Sequence, residues 1–155
     1  MKSDGTEQIG YLMKAIIKKW RGTLDQRLAS LGMSEARWFC LLHLGRAESP
    51  LPQVELAEAM GITPPSLVKL LDRLEEDGWV ERLPEPQDRR AKRVNLTPKA
   101  HEMVKVIEDE AQKLRQEVWK GISASDRNIC LRVLQQLEST LDSIPLNPSA
   151  EGEAS

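Results

Sequence analysis

One stretch decides the fold: residues 53–97 read QVELAEAMGITPPSLVKLLDRLEEDGWVERLPEPQDRRAKRVNLT. Apolar residues recur at steps of three and four on both sides of Gly61, which predicts two short helices over residues 53–60 and 64–77. Gly61 can adopt the left-handed conformation that a tight turn needs, and Ala57 is small where the two helices would approach. The stretch therefore predicts a helix-turn-helix.

The second predicted helix carries a polar face. Thr63 is placed to cap it, and Pro64 occupies its first turn, where a missing N–H costs nothing. Ser66, Lys69 and Arg73 fall on the side opposite the leucines, which is the side that a recognition helix presents to a major groove. An ordinary helical hairpin with a solvated face is the alternative interpretation.

A β-hairpin is predicted directly after these helices. Its strands span residues 79–83 and 93–96, and a long charged loop over residues 84–92 joins them. Five cations oppose one carboxylate near this loop, a local balance of 5 − 1 = +4: Arg89, Arg90, Lys92, Arg93 and Lys99 against Asp88. Because the whole chain has a net charge of −2, any surface for nucleic acid has to be local.

Arginine is the side chain suited to this loop if it contacts DNA. Its planar fork is weakly hydrated and fits a narrow minor groove or a phosphate. We expect Asp88 to orient the guanidinium of Arg90 before DNA arrives. A hairpin tip that is merely soluble is the alternative, because surface loops are often charged.

Long amphipathic helices are predicted on both sides of this stretch. On the N-terminal side, one spans residues 9–31 and ends at Gly32, and Ser34 is placed to cap another. On the C-terminal side, one begins at Thr97, and Ser123 opens a last helix through a capping box.

Two segments are predicted to lack regular structure. A linker over residues 47–52, with two prolines, separates the second helix from the helix-turn-helix. The tail over residues 146–155 has too little apolar surface to offset its ordering entropy, so we expect it to be disordered.

Length and composition limit the class of protein. The 155 residues suit one compact domain, or a small DNA-reading unit plus helices that pair with a second subunit. Cys40 and Cys130 both lie in apolar helical patterns, which predicts buried thiols in a reducing cytoplasm, with a redox switch as the alternative. No secretory signal or membrane-length apolar run is present, so we expect a cytoplasmic protein without a membrane partner.

The sequence does not indicate catalysis. His43 and His101 lie in separate helical segments, and no nucleophile, metal-ligand or phosphate-loop motif accompanies them. We expect no enzymatic activity, no cofactor and no metal site. A winged helix used only for protein contacts is a further alternative, but it has no use for a cationic hairpin.

Short motifs in a fixed order carry a family resemblance: Gln53-Val54-Glu55-Leu56-Ala57, Gly61-Ile62, Pro65-Ser66-Leu67-Val68, Leu71-Asp72-Arg73-Leu74-Glu75, Gly78-Trp79-Val80-Glu81-Arg82, Asp88-Arg89-Arg90-Ala91-Lys92-Arg93 and Leu96-Thr97. In this order the chain resembles the MarR family of bacterial regulators, and within it the SlyA subgroup. The resemblance implies a mainly α fold with a small β-wing, in which a winged helix-turn-helix lobe joins long N- and C-terminal dimerisation helices. It also implies a homodimer that regulates transcription from a pseudo-palindromic operator in double-stranded DNA.

The resemblance assigns residues and segments to these roles. It places four residues against the major groove and phosphates: Pro64, Ser66, Lys69 and Arg73. It places Arg89 and Arg90 in the flanking minor grooves. From the charge of the hairpin segment, we expect Asp88 and Lys92 to belong to the same DNA-binding surface. Lys69 stands where the SlyA subgroup more often carries arginine. The implied division is an N-terminal dimerisation helix, a winged helix-turn-helix domain, C-terminal dimerisation helices and a tail, over residues 1–32, 33–97, 98–145 and 146–155.

A crevice for a small aromatic acid or phenolic effector is also implied by the resemblance. The residues that match it are Arg21, Ser34, Trp38 and Lys69, which would supply cations for a carboxylate and an indole for a ring. Plain packing of Trp38 in the core and a solvated Arg21 are the alternative interpretations.

Overall fold

The computed structural model describes residues 5–145 of the chain. The elements in chain order are α1 (Thr6–Leu28), a short 3-10 helix (Ala29–Leu31), α2 (Glu35–Arg46), β1 (Leu51–Pro52), α3 (Gln53–Met60), α4 (Pro64–Glu76), β2 (Val80–Glu85), β3 (Asp88–Leu96), α5 (Pro98–Val118) and α6 (Ala124–Ser143). The prediction of a mainly helical chain with a small β-wing is confirmed. The predicted tail, residues 146–155, lies outside the described residues.

The chain divides into two compact units, the first ending at Arg115 and the second beginning at Gln116. The first unit is built around one apolar core. α4 contributes Leu67, Leu71 and Leu74, which the helical repeat places on one face, whereas α1 contributes only residues from its C-terminal half. Side chains from the other elements complete the core, among them Trp38, Cys40, Leu41, Leu56, Val80, Val94 and Ile107.

The turn between α3 and α4 forms as the sequence predicts. Gly61 has a φ of 66°, in the left-handed region that only glycine enters freely, and its N–H donates to the carbonyl of Glu58. Thr63 caps α4 by accepting a hydrogen bond from the backbone N–H of Ser66 at 3.4 Å, and Pro64 begins the helix. The cap and the glycine together fix the direction in which α4 leaves the turn.

The sheet has one strand more than predicted. Its three antiparallel strands lie in the order β1-β3-β2, and the pairs Leu51 with Val94 and Pro52 with Arg93 join β1 to β3. The prediction of an unstructured linker over residues 47–52 is therefore wrong at its C-terminal end. Two residues are too few to produce a periodic pattern, so only the tertiary pairing defines this strand.

The predicted long loop of the hairpin is also wrong. β2 continues to Glu85 and β3 begins at Asp88, so only Pro86 and Gln87 remain at the tip. The prolines favoured a loop in the sequence, but β2 is an edge strand, where a missing N–H is tolerated. The register shifts between Pro84 paired with Lys92 and Glu85 paired with Asp88, so residues 89–91 form an irregularity in β3.

Apolar side chains are exposed along the first half of α1. Leu24 and Leu28 near its end are buried in the core, but the earlier stripe is not covered within the chain. The exposed members are Ile9, Tyr11, Leu12, Met13, Ile16 and Ile17. A run of this length at helical spacing is typical of a surface that another helix covers.

The second unit contains α6, which has no buried residue. Ser123 caps it by accepting from the N–H of Asp126 at 3.0 Å, as the predicted capping box requires. Its apolar stripe is exposed and comprises Ile129, Leu131, Val133, Leu134, Leu137, Leu141 and Ile144.

The two cysteines differ in environment. Cys40 is buried as predicted, and burial raises the pKa of its thiol to about 12. Cys130 on α6 is exposed, so the prediction that it is buried is wrong for the chain taken alone. The apolar residues around Cys130 do form a helical stripe, but no element of the second unit covers this face of α6.

Gly45 on α2 has no room for a side chain. A Cβ there would lie 2.5 Å from Cγ1 of Val104 on α5, and Val104 is buried and β-branched, so it cannot rotate away easily. We expect Gly45→Ala to lower the free energy of unfolding, measured in urea, by about 1–3 kcal/mol despite the better helix propensity of alanine.

Gly22→Ala is the matched control. Gly22 lies within α1, and nothing stands within 4 Å of the Cβ that would be added. The change should leave the free energy of unfolding equal or raise it by up to about 1 kcal/mol. A Gly45→Ala protein as stable as the Gly22→Ala protein would contradict the close packing of α2 on α5.

Candidate nucleic-acid interface

The outer face of α4 carries the residues that the sequence assigned to the major groove. Pro64, Ser66, Lys69 and Arg73 are all exposed, while Leu67 and Leu71 between them are buried. Lys69 and Arg73 form no ion pair within residues 5–145, so both charges are available to a partner. This face of α4 is therefore polar, cationic and unoccupied by other parts of the described chain.

Val68 lies among these residues and was not singled out from the sequence. It is 38% exposed on α4, although valine is usually buried. An apolar side chain on a DNA-facing helix can contact the methyl group of thymine. The signal was present in the sequence, because Val68 falls outside the 67, 71, 74 leucine stripe.

The tip of the hairpin presents further exposed cations. Arg89, Arg90 and Lys92 are exposed on β3. Asp88 accepts a hydrogen bond from the backbone N–H of Arg90 at 2.9 Å. The contact predicted between Asp88 and the guanidinium of Arg90 is thus replaced by a backbone contact, which fixes the main chain of the tip and leaves the Arg90 side chain in solvent.

Two of the five cations that the sequence grouped together have structural partners. Arg93 donates to Oε2 of Glu85 at 2.6 Å and to the carbonyl of Pro50 at 3.1 Å, which links β3 to β2 and to the residue that precedes β1. Lys99 donates to the carbonyl of Asp77 at 2.8 Å, and its ammonium lies 3.9 Å from the centroid of the Trp79 ring. The cationic surface is therefore smaller than the composition of the segment suggests.

A further ion-pair cluster joins the hairpin to α4 and was missed in the sequence. Arg82 on β2 approaches Oδ1 of Asp72 at 2.7 Å and Oε2 of Glu75 at 2.6 Å. Hydrogen bonding from Arg82 holds the pKa of Glu75 below its usual range, and the same contact raises the pKa of Arg82. Carboxylates three residues apart on one helix face were the available signal, but only the fold shows which cation reaches them.

The residues assigned to an effector lie in two places. Arg21 on α1 pairs with Glu35 at 2.5 Å, and its guanidinium lies 4.5 Å from the Phe39 ring centroid. Ser34 precedes α2 at the N-cap position, but its side chain makes no capping hydrogen bond. Lys69 lies on the outer face of α4, and no contact relates it to Arg21 or Ser34.

Trp38 is packed in the core rather than open to a crevice. It is 1% exposed, and its Nε1 donates to Oδ1 of Asp25 at 3.0 Å. Its ring also meets Phe39 edge to face, with 5.8 Å between centroids. These contacts favour the core role for Trp38 in this conformation. A depression of about 340 Å³ beside Arg21 is lined by Lys14, Ile17, Lys18, Arg21 and Glu35.

The two histidines occupy different surroundings. His43 meets the Phe39 ring edge to face at 4.5 Å, and burial, with Arg46 and Arg21 nearby, lowers its pKa. His101 is exposed on α5. Across residues 5–145 there is no group of three or more His, Cys, Asp or Glu side chains arranged to hold a metal. Within the same residues, every helix is too short or too polar to cross a membrane.

Comparison with known proteins gives matches over most of the chain. Residues 31–91 match a sequence model of the MarR family. The solved structure of the transcriptional regulator PA3341 is 42% identical with a TM-score of 0.82, covering 88% of this chain and 99% of that one. Wild-type MarR from E. coli is 29% identical with a TM-score of 0.68, covering 83% and 94%.

A more distant likeness supports the fold alone. The structure of S. aureus MepR in complex with DNA is 23% identical, with a TM-score of 0.75 over 84% of this chain and 96% of that one. The family match covers α2, the helix-turn-helix and the tip of the hairpin, and the 42% identity extends over nearly all of a solved relative. On these grounds, the chain belongs to the MarR family.

Proposed function

We propose that this chain is a sequence-specific DNA-binding transcriptional regulator that acts as a homodimer on an inverted-repeat operator. One observation carries the proposal: in a chain of net charge −2, exposed cations that form no ion pair within residues 5–145 lie on the outer face of α4 and at the hairpin tip. A charge distribution of this kind is the electrostatic footprint of a DNA-binding surface. MepR, which shares the fold, has been crystallised with DNA, in agreement with this proposal.

In the proposed complex, α4 lies in the major groove. Ser66, Lys69 and Arg73 contact base edges and phosphates, and Pro64 approaches the backbone at the start of the helix. The hairpin places Arg89 and Arg90 in the flanking minor groove, where a narrow groove concentrates negative potential. Asp88 holds the tip through the Arg90 backbone, and Lys92 adds a phosphate contact.

The dimer is proposed from apolar surface that the single chain leaves exposed. The stripe on the first half of α1 and the stripe on α6 are each too long for an isolated soluble helix. A second copy of the chain would cover such stripes and give two α4 helices related by twofold symmetry. Two reading helices then match two half-sites of an inverted repeat.

The remaining assignments complete the proposal. The chain acts by binding rather than catalysis, works in the cytoplasm and belongs to the SlyA-like subgroup of its family. A small aromatic acid or phenolic effector would bind near Arg21 and Ser34, where a cation and an aromatic ring are adjacent. Such a ligand changes DNA affinity only if it binds the DNA-competent and DNA-incompetent arrangements of the dimer differently.

Arg90→Ala tests the DNA contact of the hairpin. Removing one arginine from a phosphate or minor-groove contact should weaken binding by about 1–3 kcal/mol and reduce the slope of log K against log salt concentration by roughly one. The measurement is a salt titration on duplexes that the wild-type protein selects from a random-sequence library.

Lys105→Ala is the control for a lost surface charge, because Lys105 lies on α5 and pairs there with Glu102. The DNA affinity of the Lys105→Ala variant, and the slope of its log K against log salt concentration, should equal those of the wild type. Wild-type protein that selects no duplex at low ionic strength would leave the winged helix as a module for protein contacts only. Equal affinity of the Arg90→Ala and wild-type proteins would remove the hairpin from the interface.

Leu137→Glu tests the dimer. Leu137 is part of the exposed stripe on α6, and a carboxylate there would be buried without a partner if a second subunit covers it. We expect the variant to sediment as a monomer at micromolar concentration, whereas the wild type and the neighbouring Gln136→Glu control sediment as dimers.

The footprint on DNA follows from the same symmetry. The wild-type dimer should protect two half-sites whose centres are about 34 Å apart, one turn of the duplex. Leu137→Glu should lose this paired protection. A wild-type monomer, or a Leu137→Glu dimer with an unchanged footprint, would contradict the proposed assembly.

A further inference from the structure

Arg82 forms the densest set of polar contacts between β2 and α4. Its Nη2 lies 2.7 Å from Oδ1 of Asp72, and Nη2 and Nε lie 2.6 and 3.0 Å from Oε2 of Glu75. The backbone N–H of Arg82 also donates to Oε1 of Glu75 at 3.0 Å. Side chain and main chain of one residue therefore hold β2 to two positions on the same helix.

The position of Arg82 along β2 gives these contacts a mechanical role. Val80 is buried in the core, but Leu83 and Pro84, which follow Arg82, are exposed. Among residues 5–145, Arg82 is the residue of β2 nearest the tip that forms a hydrogen bond or ion pair with α4. Beyond it, the hairpin extends to the tip that carries Arg89 and Arg90.

The contacts of Arg82 are of a kind that fixes direction. A guanidinium is a planar fork, and binding two carboxylates with it restrains both the distance and the orientation of its partners. The Arg82 side chain is 22% exposed, while those of Asp72 and Glu75 are 56% and 39% exposed. Ion pairs exposed to this extent contribute little to folding stability. Their main effect is therefore to restrain the orientation of the hairpin relative to α4.

DNA binding by this fold depends on the orientation of the hairpin relative to α4. α4 and the hairpin tip must reach two different grooves of one duplex at the same time. If the hairpin moved freely relative to α4, each contact at the tip would have to be ordered separately, at a cost in conformational entropy. A restrained hairpin avoids this cost because its side chains are held in place before DNA arrives.

We propose that Arg82 is a positioning residue for DNA binding, which locks the hairpin to α4 so that both contact DNA as one rigid unit. This inference rests on the proposed function. Arg82 itself does not contact DNA in this scheme, because its guanidinium is occupied by Asp72 and Glu75. Its effect appears only through the residues at the hairpin tip.

A double-mutant cycle between Arg82→Met and Arg90→Ala measures this effect. In the wild-type background, Arg90→Ala should weaken binding to a selected duplex by ~5-fold or more. In the Arg82→Met background, where the tip is no longer held, the same change should weaken binding less than ~2-fold. Fully additive changes would overturn the inference.

Two further variants separate geometry from charge. Arg82→Lys keeps the charge but loses the fork, so it should also reduce the effect of Arg90→Ala. The triple variant Asp72→Asn, Glu75→Gln, Arg82→Met removes the exposed carboxylates together with their cation. If Arg82 only shielded these carboxylates from phosphates, the triple variant would recover the full effect of Arg90→Ala, and that result would overturn the positioning role.

Controls keep the outcomes distinct. Lys105→Met breaks another exposed ion pair, on α5, and should leave the effect of Arg90→Ala unchanged. Circular dichroism and the melting temperature establish that each variant is folded at the assay temperature. If Arg82→Met is not folded, Arg82→Lys replaces it in the double-mutant cycle. Wild-type protein that binds no duplex refutes the proposed function, whereas wild-type binding without coupling refutes this inference alone.

Discussion

The burial of one face of α4 in the core is the constraint on which the other features of this chain depend. Leu67, Leu71 and Leu74 bury one side of the helix, and this burial commits the opposite side to solvent. The Gly61 turn and the Thr63 cap fix where the helix begins, so the burial of the leucines also sets which residues face outward. Lys69 and Arg73 are therefore exposed as a consequence of packing.

The acidic residues at the C-terminal end of α4 would oppose this arrangement if they were unpaired. Asp72 and Glu75 are held by Arg82, and Asp77 pairs with Arg37 of α2. Lys99 adds a cation at the last carbonyls of the helix, where the helix dipole is negative. Nearby cations thus offset these carboxylates, while Lys69 and Arg73 on the outer face of the helix form no ion pair within residues 5–145. This distribution lets a chain of net charge −2 present a basic surface.

Much of the fold could be predicted from local patterns in the sequence. The helical repeat and the capping residues gave α3 and α4 to within one residue, because these signals lie within each element. The extent of the hairpin could not be predicted, because tolerance of Pro84 depends on β2 being an edge strand. The partners of Arg93, Lys99 and Arg82 were missed for a similar reason: side chains of the same type look alike in a sequence until the fold brings a carboxylate or a carbonyl to some of them. For Trp38, helical spacing fitted a core residue and a pocket residue equally well, and its burial and its bond to Asp25 favour the core.

The buried thiol of Cys40 has a chemical consequence. Burial raises the pKa of the Cys40 thiol to about 12, so very little of it is thiolate at neutral pH, and the thiolate is the form that attacks peroxides and alkylating reagents. The native chain therefore keeps Cys40 as an inert apolar side chain. Oxidation at this sulfur would be a mark of prior unfolding rather than a signal that the folded protein senses.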